Sequence, residues 1–441
     1  MLRNDLNIRR IRSFFKALSR IRFARLPLLI LLLNVAFHNV QSQTNDQDTS
    51  QIKELTIPME GETGVTSEID NAYIEEESIF GTPMENYLNW KDRVRDKTGF
   101  SYSLMGLWLY QYATTSLTDN NNGLGQWYRL PMSWVLVGRK TGHSGRIEAR
   151  LEYRSNIGAL PAPTTLGNEV GIVALNPGFG YIQNFPLDIA VMNWTQMFLN
   201  NKLGIAIGRL SFDGYMDVSP FQSLTRGITN RSFGLNPTLA TTGIGALGFV
   251  IKGDLPGGFW LGLHMYDANA VNGEFNRDVF KLNEWLTVFE AGWTHSDEQF
   301  NTDRIIFTYW IKDERKEAGV SSGSGWAVSA SHQVAANLLP FIRFGHSNGG
   351  GGVAALTALS GGIEWGFRPD QAWTLGVGWA KPNSGTSELD LRDEYVAETS
   401  YKVQIIQALQ VLLDAQLIID PANATDSSYV GIFGFRTIVQ L

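Results

Sequence analysis

Residues 146 to 154 alternate strictly: Arg146, Glu148, Arg150, Glu152 and Arg154 fall on one side of an extended chain, and Ile147, Ala149, Leu151 and Tyr153 on the other. A period of two excludes an amphipathic helix. It demands a strand with water on one face and lipid or core on the other. The same split recurs in Tyr395, Ala397, Thr399, Tyr401, Val403 and Ile405 against Glu398, Ser400, Lys402 and Gln404. It returns in Leu409, Val411, Leu413, Ala415, Leu417 and Ile419 against Gln410, Leu412, Asp414, Gln416, Ile418 and Asp420, after a tight connection at Gln407-Ala408. Trp373, Leu375, Val377 and Trp379 make an apolar face with an aromatic at each end, as a strand crossing two membrane interfaces requires.

Apolar faces recur along the chain after residue 100, yet no stretch beyond residue 42 has the roughly 18 consecutive apolar residues of a spanning helix. The regularly phased charges of the polar faces suit a watered lumen better than a soluble sandwich. The fold class expected is therefore all-β, an antiparallel transmembrane β-barrel. At about 20 residues per strand and connection, residues 100–441 supply about 16 strands, with short and long connections alternating. The last strand places Tyr429, Phe433, Phe435, Thr437, Val439 and Leu441 outward and Arg436 and Gln440 inward, and closing it on the first removes both edges. Abundant Gly (45) and aromatics (12%, including 13 Trp) fit tight turns and girdles.

Ahead of the barrel, residues 1–42 read as a signal peptide: eight Lys or Arg precede the short apolar run Leu26 to Phe37. Their removal shifts the formal charge from −7 to −14, which argues against nucleic-acid partners. Residues 43–99 read as an acidic periplasmic segment, its Glu75-Glu76-Glu77 run solvated, ending in a short amphipathic helix over 84–97 stopped by Gly99.

Enzyme chemistry finds little support. With no Cys, a disulfide scaffold, a Cys-ligated zinc and a thiol nucleophile are excluded. Gly345-His346-Ser347-Asn348-Gly349 matches G-x-S-x-G, but a nucleophile elbow needs the strand-helix alternation that the chain lacks. Glu364 and Asp414 are carboxylates expected on a watered wall, and the mature histidines never take metal-ligand spacing. No catalytic residue, metal or other cofactor is expected.

Several stretches, taken in order, resemble the carbohydrate-selective (OprB-like) outer-membrane porins. They are Trp194 with Gln196 ahead of Ile207-Gly208-Arg209, Asp267-Ala268-Asn269, Trp310 to Arg315, Pro340 to Gly345, Trp379-Ala380-Lys381-Pro382, Leu391 to Glu398, Tyr401, and Gln416 to Pro421. The resemblance runs from Trp90 to the end. It implies a 16-stranded barrel narrowed by loops, passive diffusion of sugars, and a place in the bacterial outer membrane. Leu441 departs from the terminal Phe such barrels usually carry. A general porin and a structural barrel without transport stay open as alternatives. Expected partners are outer-membrane lipid, small sugar solutes and, in a homotrimer, further copies of the chain.

A sugar channel needs aromatic faces for C–H patches and donors and acceptors for hydroxyls. Trp260, His264 and Tyr266 share one strand face, and Trp310 shares one with Arg304 and Lys312. Together with Arg146, Glu148, Arg150, Glu152, Arg154 and Arg436 they are the pore-lining candidates. The charged set has a plainer reading as a cross-paired ladder stiffening the wall.

Overall fold

The computed structural model describes residues 57–71, 78–139, 141–178, 180, 185–275, 282–385 and 391–441. The expected signal peptide and the Glu75 to Glu77 run lie outside the described residues. The strands are β1 (Phe100–Tyr102), β2 (Met105–Ala113), β3 (Asn122–Val137), β4 (Gly145–Asn156), β5 (Phe185–Phe198), β6 (Leu203–Leu210), β7 (Ala246–Asp254), β8 (Phe259–Asp267) and β9 (Trp285–Thr294). They continue as β10 (Arg304–Lys312), β11 (Gly323–Ser331), β12 (Leu338–Ser347), β13 (Ala355–Arg368), β14 (Gln371–Pro382), β15 (Glu394–Ile406), β16 (Leu409–Ile419) and β17 (Tyr429–Gln440).

Each strand from β2 to β17 pairs antiparallel with its sequence neighbours, and β17 pairs back onto β2 from Ile432 opposite Ala113 to Gln440 opposite Met105. The result is a closed 16-stranded barrel. The short β1 pairs with the far end of β3, Phe100 opposite Trp134, so that β1 and β2 form one rail interrupted at Ser103-Leu104. Turns at one end are short, such as 369–370 and 407–408, whereas the other end carries long loops, among them 157–178 and 211–245.

Burial is inverted relative to a water-soluble domain. Phe307, Ile342, Leu375, Leu413 and Phe433 point outward, each about half exposed without lipid, while Arg129, Glu148, Glu152, Thr308, Arg343 and Arg436 point inward and are buried. Only lipid makes such an exterior favourable, and closure leaves no unpaired strand edge within it. Trp134, Trp365 and Trp373 are exposed near the short-turn rim, and Tyr110, Tyr112 and Tyr429 toward the long-loop rim, making the two aromatic belts the sequence anticipates. Among the described residues, no helix is long and apolar enough to cross a membrane.

The interior is filled from both ends. The 211–245 loop folds inward and carries the one-turn helix α4 (Arg231–Gly234) after α1 (Val65–Asn71), α2 (Glu85–Thr98) and α3 (Pro163–Glu169) in chain order. Glycines on the wall admit it: a Cβ on Gly345 would meet the Thr238 hydroxyl at 2.1 Å, and one on Gly376 would meet the Phe233 ring at 2.8 Å. The 157–178 loop is tied to the rim by Glu394, whose carboxylate accepts the backbone N–H groups of Val173 (2.7 Å), Ala174 (2.8 Å), Leu175 (3.0 Å) and, from the β16–β17 loop, Ala422 (3.0 Å).

Residues 57–71 correct the reading of 43–99 as one periplasmic segment. They lie inside the barrel, with Gly61 N–H bonded to Gly214 O (2.9 Å), Thr63 Oγ1 to Asp213 O (2.8 Å), and Glu68 paired to Arg129 of β3 (2.5 Å). Glu68 finds guanidinium partners on a charged wall, and Glu60 accepts the Thr66 and Tyr215 hydroxyls. The helix expected at 84–97 is α2, which ends at Gly99 with φ 73°, the left-handed cap that glycine adopts without strain. It packs at the short-turn rim, where Trp134 Nε1 donates to Thr98 O at 3.1 Å.

Candidate functional site: the barrel interior

The five charges of β4 point inward as their alternation requires, with Arg146 partly buried and the rest fully so. None projects singly. Glu152 accepts Arg154 Nη2 (2.5 Å) and Trp127 Nε1 (3.2 Å) and is ion-paired with Arg150 Nε (2.6 Å) and Arg129 Nε (3.4 Å), and the Arg154 guanidinium lies 3.7 Å from the Trp127 ring centre. Glu148 takes Arg146 Nε (2.5 Å), Asn193 Nδ2 (2.7 Å) and Thr195 Oγ1 (2.7 Å). Mixed signs at this spacing neutralise one another. The row becomes a stiff wall with two guanidiniums, Arg129 and Arg150, turned toward Glu68.

Trp260, His264 and Tyr266 also face inward on β8, at most 2% exposed. The Lys252 ammonium sits 4.4 Å from the Trp260 ring centre, and His264 lies between Glu290 (Nε2 to Oε2 3.8 Å) and the Tyr266 hydroxyl (3.4 Å). Trp310 of β10 is wholly buried in the apolar cluster that includes Tyr266, Leu235 and Met59, covered by the inserted loop and the N-terminal segment. Arg436 holds the inserted loop, its Nη1 donating to Ile228 O at 3.1 Å and its Nη2 to Arg226 O. These side chains share the interior but form three separate groups rather than one site.

Open space lies elsewhere. A cavity of about 280 Å³ at the short-turn end is bounded by Glu62 and Asn71 of the N-terminal segment, by Ser223, Thr225 and Arg226 of the inserted loop, and by Lys402, Gln404, Gln410 and Gln440 of the wall, with Gln407 and Asn301 from turns. None of the sequence-predicted site residues is on its lining. Gln404, Gln410 and Gln440 have the inward phase that the sequence assigns them, and their common chemistry is the signal that could have singled them out. The loop and segment residues have no period to betray their position.

The groups of the N-terminal segment feel their burial. Glu60 accepts the Tyr215 hydroxyl at 2.9 Å, and both it and Glu68 are pushed up to about 7, by burial first and, for Glu60, by Glu148 next. The Tyr215 hydroxyl is raised by burial and then by Glu60. Ser347 of the G-x-S-x-G stretch sits at the end of β12 with its hydroxyl donated to Ala355 O at 2.8 Å. Among the described residues, no group of His, Asp and Glu is placed to hold a metal ion.

No family model matches the chain, and no curated protein matches it by sequence. Solved structures match by shape. A high-pH structure of Pseudomonas putida OprB aligns over 83% of this chain and 99% of its own, with TM-score 0.64 and 15% identity. A structure described under asymmetric conductivity of engineered proteins aligns over 78% of this chain and all of its own, with TM-score 0.50 and 10% identity. A variant of Rh. blastica porin gives 78% and 100% coverage, TM-score 0.49 and 9% identity. At these identities the likeness is one of fold, a porin-type barrel.

Proposed function

We propose that this chain is a porin of a bacterial outer membrane through which small carbohydrates diffuse passively toward the periplasm. The observation that carries it is the inverted barrel: a lipid-facing exterior around an interior whose open space is lined by amides, hydroxyls and charges of both signs. Such a lining exchanges hydrogen bonds with a hydroxylated solute as water leaves it, and favours neither anions nor cations strongly. The motif resemblance and the fold likeness to OprB support the same reading. The long-loop end then faces the outside and the short-turn end the periplasm. In this reading Arg146, Glu148, Arg150, Glu152, Arg154, Trp260, His264, Tyr266, Trp310 and Arg436 fix the shape of the passage, while the cavity residues meet the solute.

A barrel without transport is the second reading, favoured by residues 57–71 occupying the interior. Liposome swelling on the refolded chain separates the two. Monosaccharides entering faster than amino acids and salts of similar size support the sugar channel; equal rates leave a general porin, and no entry leaves the structural barrel.

A further inference from the structure

We propose that helix α2 is an interfacial anchor that binds an anionic phospholipid headgroup at the short-turn rim, an inference that rests on the outer-membrane reading above. An aromatic ladder fixes its place. Phe100 and Tyr102 of β1 lie opposite Trp134 and Met132 of β3 and share the outward phase of the exposed Trp134. The Phe100 and Tyr102 rings stack at 6.1 Å, the Tyr102 hydroxyl meets that of Tyr87 at 3.2 Å, and Tyr87 stacks on Trp90 at 6.0 Å. Each rung steps from the outer face of the barrel onto the helix, so Trp90, 46% exposed, stands on the lipid side. Ile79 and Phe80, whose backbone N–H groups donate to Gln404 O and Ile405 O (3.2 Å each), add exposed apolar surface at the same rim. Such surface is unfavourable in water and favourable at the edge of a bilayer.

Charge is divided round the helix. Trp90, Arg93 and Lys97 fall on one exposed stripe, whereas Glu85, Asp92 and Asp96 fall about a quarter-turn away. Asp92 is also paired with Arg95 at 2.7 Å. Among the described residues, neither Arg93 nor Lys97 has an ion-pair partner. Cations in a last turn ordinarily complement the helix dipole and its open carbonyls. Here other groups do so: Gly99 N–H donates to Arg95 O (2.7 Å), Arg139 Nη1 to Lys97 O (3.1 Å) and Trp134 Nε1 to Thr98 O (3.1 Å). Arg139, from the β3–β4 turn, thereby brings a third positive charge beside Lys97.

This arrangement complements one class of amphiphile. An indole at the interface beside cations at phosphate depth suits an anionic phospholipid, whereas a zwitterionic one carries an ammonium that the same cations repel. A soluble anion uses the cations but leaves Trp90, Ile79 and Phe80 in water.

The test uses lipid-borne quenchers. The chain has no cysteine, so Asn89→Cys, one turn before Arg93, gives a single site for a fluorophore on the full chain folded into phosphatidylcholine vesicles. Nitroxide-bearing phosphatidylglycerol is expected to associate about tenfold better there than nitroxide-bearing phosphatidylcholine, each cation contributing about fivefold at low salt. Arg93→Gln with Lys97→Gln is expected to lose most of that preference. Equal quenching by the two lipids, or a preference that the double variant keeps, overturns the anchor. A second label at Val377→Cys on the lipid face tells its failure from that of the membrane reading. Quenching at 377 without preference at 89 removes the anchor alone, and no quenching at either position removes both.

Discussion

Charge reversal at Glu68 is expected to loosen residues 57–71 from the interior while the barrel stands. In the native chain its carboxylate lies 2.5 Å from Arg129 Nη1 and 3.7 Å from Arg150 Nη1, with all three side chains at most 4% exposed. Unit charges 4 Å apart interact by about 4 kcal/mol at an effective dielectric constant of 20. Glu68→Lys replaces a carboxyl that can shed its charge with a cation beside two guanidiniums, repulsions on the order of 8 kcal/mol together that Glu152, shared by the same arginines, offsets in part. Opposing it are hydrogen bonds such as Gly61 to Gly214, Thr63 to Asp213 and Tyr215 to Glu60, each worth about 1 kcal/mol net, and the burial of Ile57, Met59, Val65 and Ile69 at about 1.5–3 kcal/mol each, so the repulsion is of the size of what holds the segment and loosens it from Glu68 outward. Glu68→Gln behaves oppositely. Burial raises this carboxyl to about 7 against the pull of both arginines, so the interior favours the neutral form that glutamine mimics.

The pH dependence follows with its sign. For an acid whose pKa rises from 4.5 to about 7 on seating, the stabilisation is complete below 4.5 and lost as pH climbs through 7; Glu60 acts in the same sense. Wild type therefore seats the segment more firmly at pH 5 than at pH 8, and Glu68→Gln depends on pH less. Planar-bilayer conductance at about 0.1 M salt, with cleavage by a Glu-specific protease at Glu60 and Glu62, reads both. A Glu68→Lys protein that folds as a heat-modifiable barrel with unchanged conductance and cleavage refutes the reasoning.

Three further outcomes are expected. Gly376→Val forces the Phe233 ring off the wall, an overpacking cost of about 1–3 kcal/mol that loosens the inserted loop and appears as faster proteolysis within 211–245. Glu398→Gln weakens the acceptor of the Thr229 (2.7 Å) and Asn230 (3.0 Å) N–H groups, so open-channel current noise rises while heat-modifiable mobility stays native. Leu375→Arg, on the lipid face, costs about 2–4 kcal/mol near the midplane and lowers refolding yield into lipid, whereas Thr374→Ser, one residue away on the inner face, leaves the yield unaltered.

The barrel was legible because a strand between lipid and water writes its two environments into alternate residues. β4, β8, β10 and β15 to β17 have the faces that alternation assigns them, and the Gln407-Ala408 turn falls where expected. What fills the barrel was not. Residues 57–71 read as part of a periplasmic segment because acidic, aperiodic sequence normally stays in water; a lumen studded with arginines reverses that inference at Glu68, and its partners Arg129 and Arg150 lie 60 or more residues away along the chain. Trp310 faces inward but is covered by the loop and the segment, whose paths no local pattern encodes, and Trp260 lies under the Lys252 ammonium.

The Glu394 clamp gathers Val173, Ala174, Leu175 and Ala422, separated by more than 200 residues of chain, onto one carboxylate at the long-loop rim. Glu394, Ala174, Leu175 and Ala422 are themselves buried, so what the clamp sets is the arrangement of the two loops above it; in the proposed orientation, a ligand or antibody that bridges those loops reads an epitope no linear peptide contains. Immunity raised against denatured chain should therefore miss the folded protein here, and Glu394→Ala should erase such recognition without altering any residue that the antibody touches.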